Sequence, residues 1–193
     1  MSLLRRLVID KQKFLDEGLY RFPDKSMESF GWYQMSEVMF RHILDVLPKG
    51  KTVLEIGSGW CSSQLAKHYK TYSVEHDSKF LNKYDDVHYV FAPLDPNTGW
   101  YDPETLYEEM PDKYDLIIVD GPSGGMVINN SGAQSSRMGF VNNHKLFNTD
   151  LPIFWDDTHF IPAYNAFVDL AMKLKRIPHL YVGDYTKSYG VLY

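Results

Sequence analysis

An acid and two closely spaced glycines occur together in the stretch VLEIGSGWCSS, residues 53–63. Glu55 stands two residues before Gly57, and Gly59 follows after a single residue, Ser58. Glycines at this spacing allow a tight turn and bring backbone N–H groups close to a ligand. The helical pattern that follows would point its positive end at the same place. The stretch therefore predicts a binding loop, in which Glu55 would repel a pyrophosphate but attract an ammonium group or organise the loop.

The residues that follow the other predicted strands are mostly polar, and several of them are acids. Acids on solvated loops are common, but their recurrence at the ends of successive strands is less ordinary. Ligands of open α/β sheets bind beyond the carboxyl ends of the strands, so these residues are expected to share one site. They are Glu75 and His76 after the second strand, Leu94 and Asp95 after the third, Asp120 after the fourth, and Asp156 and Asp157 after the fifth.

The elements that must position these residues follow from the hydrophobic pattern. Continuous apolar stretches alternate with helical patterns, which is typical of a parallel sheet covered by helices on both faces. Right-handed crossovers make this a doubly wound α/β fold. A helix capped by Ser36 is expected before the first strand. The predicted strands are 52–56, 71–75, 87–92, 114–119 and 151–155, with 180–183 and 189–193 forming a hairpin, and the predicted helices lie near 61–69, 78–83, 103–110 and 162–176.

The composition excludes several classes of function. The net charge is −5 and there is no dense basic run, so a nucleic-acid partner is not expected. No apolar run is long enough to cross a membrane, and the N-terminus lacks the features of a signal peptide. The single cysteine, Cys61, excludes an internal disulfide and fits a reducing compartment, so a cytoplasmic location is expected. A buried packing role is favoured for this cysteine over a reactive thiol.

The E-x-G-x-G pattern at 55–59 resembles the first motif of the class I S-adenosylmethionine-dependent methyltransferases. The resemblance covers about residues 36–193 and implies a seven-stranded, mostly parallel sheet that ends in an antiparallel hairpin. It implies that the glycine loop holds the methionine part of S-adenosylmethionine. It also implies that Glu75 binds the two ribose hydroxyls. Cys61 stands where the family usually has a third glycine, a position that mainly serves helix packing.

Two further strand ends resemble those of the small-molecule and sugar O-methyltransferases within this family. In the divalent-metal members, one acid ends the fourth strand and an acid pair ends the fifth, and Asp120, Asp156 and Asp157 match that pattern. Three hard oxygen ligands suit Mg²⁺ or a similar ion, which would lower the pKa of an acceptor hydroxyl. The alternative is that Asp156 or Asp157 caps the following helix and that Asp120 binds the ammonium group of the cofactor.

Two residues are candidates for contact with the methyl acceptor. Arg137 lies in the Gly-, Ser- and Asn-rich segment 121–143. The segment Asp120-Gly121-Pro122 resembles that of the plant polysaccharide O-methyltransferases and their bacterial relatives, and this resemblance implies that Arg137 faces the substrate side. His159, two residues after the acid pair, is the histidine whose position best suits a general base, although an ordinary exposed histidine fits as well.

One domain, 1–193, is expected, with an N-terminal helical or lid segment, 1–47, and a cofactor-binding core, 48–193. Trp32, Tyr33, Phe22 and Phe30 are candidates for the lid, and core packing is the alternative for them. Asp95 is a candidate for binding adenine, and a plain turn residue fits equally well.

The predicted function is S-adenosylmethionine-dependent methylation of a hydroxyl on a small molecule or sugar, with His159, Asp120 and Arg137 as catalytic residues. The glycine spacing also comes close to the dinucleotide fingerprint, so an NAD-dependent oxidoreductase is an alternative. Glu55 and the C-terminal hairpin argue against it. A non-catalytic module that binds the cofactor or a partner chain is a third hypothesis, which the unbroken glycine loop and Glu75 disfavour. The oligomeric state stays open.

Overall fold

The computed structural model describes residues 28–31, 34–123, 136–183 and 187–193. Residues 1–27 of the predicted N-terminal helical or lid segment lie outside these ranges, as do Trp32, Tyr33 and residues 124–135 of the Gly-, Ser- and Asn-rich segment. Within the described ranges, no helix is both long and apolar enough to span a bilayer.

Helices and strands alternate along the chain, as the hydrophobic pattern predicts. Ser36 caps the first helix by accepting a hydrogen bond from the backbone N–H of Met39 at 3.1 Å. Asp102 caps the third in the same way. The helices are α1 (Glu37–Val46), α2 (Trp60–Ala66), α3 (Pro103–Glu109), α4 (Met138–Asn142) and α5 (Ile161–Leu174). The strands are β1 (Thr52–Ile56), β2 (Lys70–Glu75), β3 (Val87–Phe91), β4 (Leu116–Val119), β5 (Ile153–Trp155), β6 (His179–Val182) and β7 (Ser188–Leu192).

The strands form one seven-stranded sheet with the order β3-β2-β1-β4-β5-β7-β6. Strands β1 to β5 are parallel to their neighbours, whereas β7 runs antiparallel between β5 and β6. Parallel strands place their carboxyl ends at one edge, so the residues after β1, β2, β4 and β5 lie side by side. The predicted fold class, including the final hairpin with one strand inserted in the sheet, is confirmed.

Helices cover both faces of the sheet. Because successive side chains of a strand point to opposite faces, Val53 packs in one core cluster and Leu54 in the other. The first cluster joins the sheet to α1 and α2, and the second joins it to α3, α4 and α5. The sheet is therefore buried on both sides, and its carboxyl edge is where a ligand can reach it.

Several predicted elements are shorter than expected, and side chains account for two of the differences. The helix predicted at 78–83 is a single 3₁₀ turn, Ser78–Phe80, which Asp77 caps and after which Asn82 takes a left-handed conformation, φ 53°. Strand β4 begins at Leu116, because the Asp115 side chain accepts the backbone N–H of Thr52 at 2.9 Å in place of a ladder bond. Strand β5 begins at Ile153, after Pro152.

Candidate functional site

The backbone after β1 and the backbone after β4 approach each other closely, so the residues at the contact, Gly57 and Gly121, must both be glycine. Gly57 has φ +99°, and a Cβ placed on it would lie 2.7 Å from the backbone nitrogen of Gly121. A Cβ on Gly121 would lie 2.6 Å from the hydroxyl oxygen of Tyr101. Side chains at these positions would meet backbone or a buried ring, so the glycine loop has to keep its bare backbone. The first glycine of the predicted motif thus has a steric reason in this fold.

Glu55 lies beneath the glycine loop and is fully buried. Its carboxyl accepts hydrogen bonds from the hydroxyls of Ser62, at 2.5 Å, and Ser73. The Ser62 hydroxyl in turn accepts the backbone N–H of Gly59 at 3.0 Å. Burial raises the pKa of Glu55 to about 8, against the lowering effect of the two serine bonds. This arrangement matches a role in organising the loop, and a direct contact of Glu55 with a ligand stays a prediction.

Glu75 ends β2 with its carboxylate turned back onto the glycine loop. One oxygen accepts the backbone N–H of Ser58 at 3.1 Å, and the other accepts those of His76 at 2.7 Å and Asp77 at 2.8 Å. The side chain is almost entirely buried. Because a carboxylate can accept about four hydrogen bonds, three backbone bonds fix this group and still leave acceptor capacity. The predicted ribose-binding acid is therefore held rigidly beside the predicted loop.

The loop after β3 brings Leu94, Asp95 and Tyr101 to the same edge. Leu94 forms an isolated β-bridge with Tyr101. The Asp95 carboxylate accepts hydrogen bonds from the backbone and side-chain amides of Asn97 and from the Thr98 hydroxyl, so it stabilises its own turn. The Tyr101 ring packs edge-on against the ring of His76, at 5.9 Å between centroids.

The hydroxyl of Tyr101 is a buried polar group that no sequence pattern indicated. It has no hydrogen-bond partner among the residues that the structure describes. Burial, with the negative charges of Glu75 and Asp120, raises the pKa of Tyr101 well above its usual range. The hydroxyl therefore stays protonated and can donate a hydrogen bond to a ligand at the loop. A buried donor without a partner normally costs about 1–3 kcal/mol, which a bound ligand would relieve.

Gln34 also reaches the glycine loop, from the segment before α1. Its side-chain oxygen accepts the backbone N–H of Cys61 at 3.2 Å, and a Cβ on Gly59 would lie 2.5 Å from that oxygen. Gly59 is extended, so its glycine is required by the space that Gln34 fills and not by a positive φ. Cys61 itself is buried in the core, and burial raises its pKa well above the ordinary value, as a packing role predicts.

The three acids predicted to converge do so. Asp120 follows β4, Asp156 and Asp157 follow β5, and one carboxylate oxygen from each lies within 4.8 Å of the others. We call these three residues the acid cluster. Asp157 has φ +61°, a left-handed conformation that aspartate tolerates better than most residues. The convergence follows from the pairing of β4 with β5 as parallel neighbours.

Two buried cations, Arg137 and Lys187, lie within the acid cluster. Arg137 precedes α4, and one guanidinium nitrogen lies 3.1 Å from Asp120 Oδ1 and 2.7 Å from Asp157 Oδ2. Lys187 precedes β7, and its Nζ lies 3.0 Å from Asp156 Oδ2 and 3.0 Å from Asp157 Oδ1. Sequence reasoning identifies Arg137 but not Lys187, which lies between the two strands of the predicted hairpin. Its position immediately before the apolar strand β7 is the one signal that the sequence offered.

The carboxyls of the cluster differ in pKa because their surroundings differ. Burial raises the pKa of Asp156 to about 7, against the lowering effect of Lys187. Burial also raises the pKa of Asp120, against the effect of Arg137. Asp157 is buried too, but Arg137 and Lys187 together outweigh the burial, so the pKa of Asp157 lies well below its usual value.

Exposure separates the members of this group into two sets. The side chains of Asp156, Arg137 and Lys187 are 1%, 8% and 5% exposed. Those of Asp120, His159 and Asp157 are 26%, 24% and 20% exposed, so a ligand can reach them. The Nδ1 of His159 accepts the backbone N–H of Ser188 at 3.4 Å, and Nε2 lies 4.0 Å from Asp157 Oδ1. The accessible side of the cluster thus carries two acids and a histidine.

Comparison with known proteins rests on structure alone. No protein-family model matches the chain, and no curated protein matches it in sequence. A methyltransferase from Pyrococcus furiosus matches with a TM-score of 0.53 and 13% identity, over 98% of this chain and 96% of that one. The MycE methyltransferase of mycinamycin biosynthesis, solved with Mg and SAH, matches with a TM-score of 0.49 and 16% identity, over 95% of this chain. A human methyltransferase 10 domain containing protein gives 0.48 and 11%, over 97% of this chain and 95% of that one.

The chain spans 61% of the MycE chain in that structure and 43% in a second one with mycinamycin VI. The Pyrococcus match extends over nearly the whole of both chains. On these grounds the chain has the fold of the class I S-adenosylmethionine-dependent methyltransferases.

Proposed function

We propose that this chain is an S-adenosylmethionine-dependent methyltransferase that methylates a hydroxyl group of a small molecule or sugar. The observation that carries the proposal is the fixed carboxylate of Glu75 beside the glycine loop. A carboxylate held by three backbone amides at the end of β2 suits a pair of vicinal hydroxyls, such as those of a ribose. It does not suit a phosphate, which it would repel.

The residues present fit the cofactor. Glu75 has acceptor capacity for ribose hydroxyls, and the bare backbone of Gly57 and Gly121 allows close approach. The orphan hydroxyl of Tyr101 is a donor for the polar end of the ligand. When bound, S-adenosylmethionine supplies an electrophilic methyl group on a good leaving group. The protein then has to bind, orient and desolvate the two reactants and accept the proton of the acceptor hydroxyl.

The acceptor is proposed to approach over the exposed side of the acid cluster. Of the three accessible groups, Asp157 is a poor base because two cations lower its pKa. Asp120 and His159 are therefore the proposed bases. The raised pKa of Asp120 favours proton uptake, while its Oδ1 faces Arg137. The Arg137 guanidinium is buried and donates to the backbone carbonyls of Asp120 and Asp156, so its proposed part is to hold the strand ends.

An NAD-dependent oxidoreductase is the second candidate, because an acid after β2 also binds ribose in dinucleotide folds. The sheet disfavours it, because an antiparallel β7 is inserted between β5 and β6, whereas the dinucleotide-binding sheet has the strand order 3-2-1-4-5-6.

The partner is proposed to be a small molecule, since the net charge of −5 disfavours nucleic acid. A cytoplasmic location remains part of the proposal. A divalent ion at the acid cluster is left out of the proposed reaction, for reasons given in the next subsection.

An acceptor screen tests the activity. The protein is incubated with methyl-labelled S-adenosylmethionine and sets of sugars, phenols and polyols, with and without a chelator. We expect label transfer to a hydroxyl compound that the chelator does not abolish. Asp120→Asn and His159→Gln then identify the base, because its loss should lower kcat by about 10²–10⁴-fold with little change in KM. Transfer to nitrogen or carbon acceptors alone would contradict the proposed O-methylation.

A further inference from the structure

Lys187 is a buried ammonium group in a position that only strong pairing can stabilise. Its Nζ lies 3.0 Å from an oxygen of Asp156 and 3.0 Å from an oxygen of Asp157, and it donates to the backbone carbonyl of Gln34 at 2.8 Å. Moving a charge of this kind out of water costs several kcal/mol unless partners compensate. The three contacts supply that compensation, so Lys187 is a structural part of the acid cluster.

Arg137 is the second cation that contacts the cluster. Its guanidinium contacts Asp120 Oδ1 and Asp157 Oδ2, and it also donates to the backbone carbonyls of Asp120 and Asp156. Asp157 is therefore bound through one oxygen by each cation. Each oxygen of Asp157, one of the three candidate metal ligands, is therefore already paired with a cation.

The carboxylate oxygens of the cluster are nearly all occupied. Both oxygens of Asp157 contact the two cations. Those of Asp156 accept Lys187 and the backbone N–H of Asp157, the latter at 2.8 Å. Asp120 Oδ1 faces Arg137. Thus five of six carboxylate oxygens already have a donor, whereas Mg²⁺ needs about six oxygens at about 2.0–2.1 Å with little distortion.

The charge of the group leads to the same conclusion. Three carboxylates and two cations give a formal charge of −1 when every acid is ionised. A divalent ion would bring this buried group to +1 and would place Lys187 and Arg137 within a few ångströms of a second positive charge. Like charges at such distances in a poorly hydrated site repel strongly.

We propose that Arg137 and Lys187 are built-in counter-ions that occupy the place of a divalent ion, so that the acid cluster binds no metal in the native protein. The three acids, which match the metal-binding pattern in sequence, therefore do not fit a metal in the native arrangement. Lys187 also connects the acid cluster to the glycine loop as a positioning residue. It donates to the backbone carbonyl of Gln34, and the Gln34 side chain accepts the backbone N–H of Cys61.

Binding of Mn²⁺ tests the proposal, with the free ion followed by its paramagnetic resonance signal. The wild-type chain is expected to show no saturable binding at Mn²⁺ concentrations up to about 1 mM. Even the weak Ca²⁺ sites of extracellular modules bind their ion at such concentrations. Lys187→Met removes the charge and keeps much of the side-chain volume, so it should create a site that binds Mn²⁺ at least about tenfold more tightly than the wild type. Adding Asp157→Asn should remove that site again, and Lys113→Met, an exposed lysine, is the matched control.

Saturable binding of Mn²⁺ to the wild type, lost in Asp157→Asn, would overturn the proposal. A folded Lys187→Met chain that gains no binding would also overturn it, because Lys187 would then not be what excludes the ion. Circular dichroism establishes folding, and Arg137→Gln serves as a second variant if Lys187→Met does not fold. The titration reads the metal directly and does not depend on methyl transfer, so its failure is distinct from failure of the proposed activity.

Discussion

The buried carboxyl of Glu55 makes the stability of the fold depend on pH in an unusual direction. Its pKa rises from an ordinary 4.5 to about 8 in the folded chain, chiefly because it is buried, and the nearby charges of Asp120 and Glu75 add to the rise. Between these values the folded state holds a proton that the unfolded state has released. Stability from this group is therefore fully present below about pH 4.5 and is lost as the pH rises toward about 8.

The size of the effect follows from the same interval. Each pH unit changes the free energy of unfolding by about 1.4 kcal/mol, so the interval from 4.5 to about 8 corresponds to about 5 kcal/mol. Glu55→Gln replaces the protonated acid by an amide of nearly the same shape, whose oxygen can still accept from Ser62 and Ser73. The variant should be about as stable as the wild type near pH 5 and several kcal/mol more stable near pH 8.5.

Urea unfolding at a series of pH values measures this difference, and subtraction of the two curves cancels the groups that titrate in both chains. Glu108→Gln, which removes an exposed acid from α3, controls for the loss of one negative charge. If the wild type and Glu55→Gln differ by the same amount from about pH 5 to about pH 8.5, Glu55 is not the buried neutral acid described above.

Three further outcomes follow from single contacts. Gly121→Ala places a methyl group against Tyr101 and Gly57, so chemical denaturation should show a loss of about 1–3 kcal/mol together with weaker cofactor binding. Burial lowers the pKa of His42, whose ring nitrogens contact the hydroxyls of Tyr189 and Tyr193. The wild type should therefore lose stability as the pH falls below about 6.5, and His42→Phe should lose less stability over that range. Thermal melts of both chains at pH 5 and pH 7 measure the difference. Asp102→Ala removes the cap of α3 and should cost about 1 kcal/mol in urea without changing cofactor affinity.

The fold was largely predictable from the sequence because its strands are continuous apolar runs separated by clear turn signals. Those runs predict the order of the strands and helices, and the order identifies the residues at the carboxyl edge of the sheet. Glu75 and the convergence of the acid cluster followed, since parallel neighbours end at the same edge. The ends of the strands were less predictable where a side chain replaced a ladder bond, as Asp115 does at the start of β4.

The rest of the site depends on contacts between residues that are distant in sequence. Lys187 and Gln34 are 153 residues apart, and no spacing rule links them. The pairing of the acid cluster with Arg137 and Lys187 appears only when the hairpin and the segment before α4 are placed in space. The sequence pattern therefore indicated a metal site where the folded chain supplies its own cations. The role of the Tyr101 hydroxyl was not predictable either, because a single tyrosine after β3 belongs to no recognisable motif.

Calorimetric titration with S-adenosylmethionine, its demethylated product and NAD tests the central claim most directly. We expect micromolar binding of the first two, about −7 to −9 kcal/mol, and none of NAD. Glu75→Ala removes the fixed carboxylate and should weaken binding by about 2–4 kcal/mol, which is roughly 30-fold to 1,000-fold, while Glu109→Ala, an exposed acid on α3, should leave it unchanged. Binding of NAD without binding of S-adenosylmethionine, or equal affinity in the wild type and Glu75→Ala, would contradict the account.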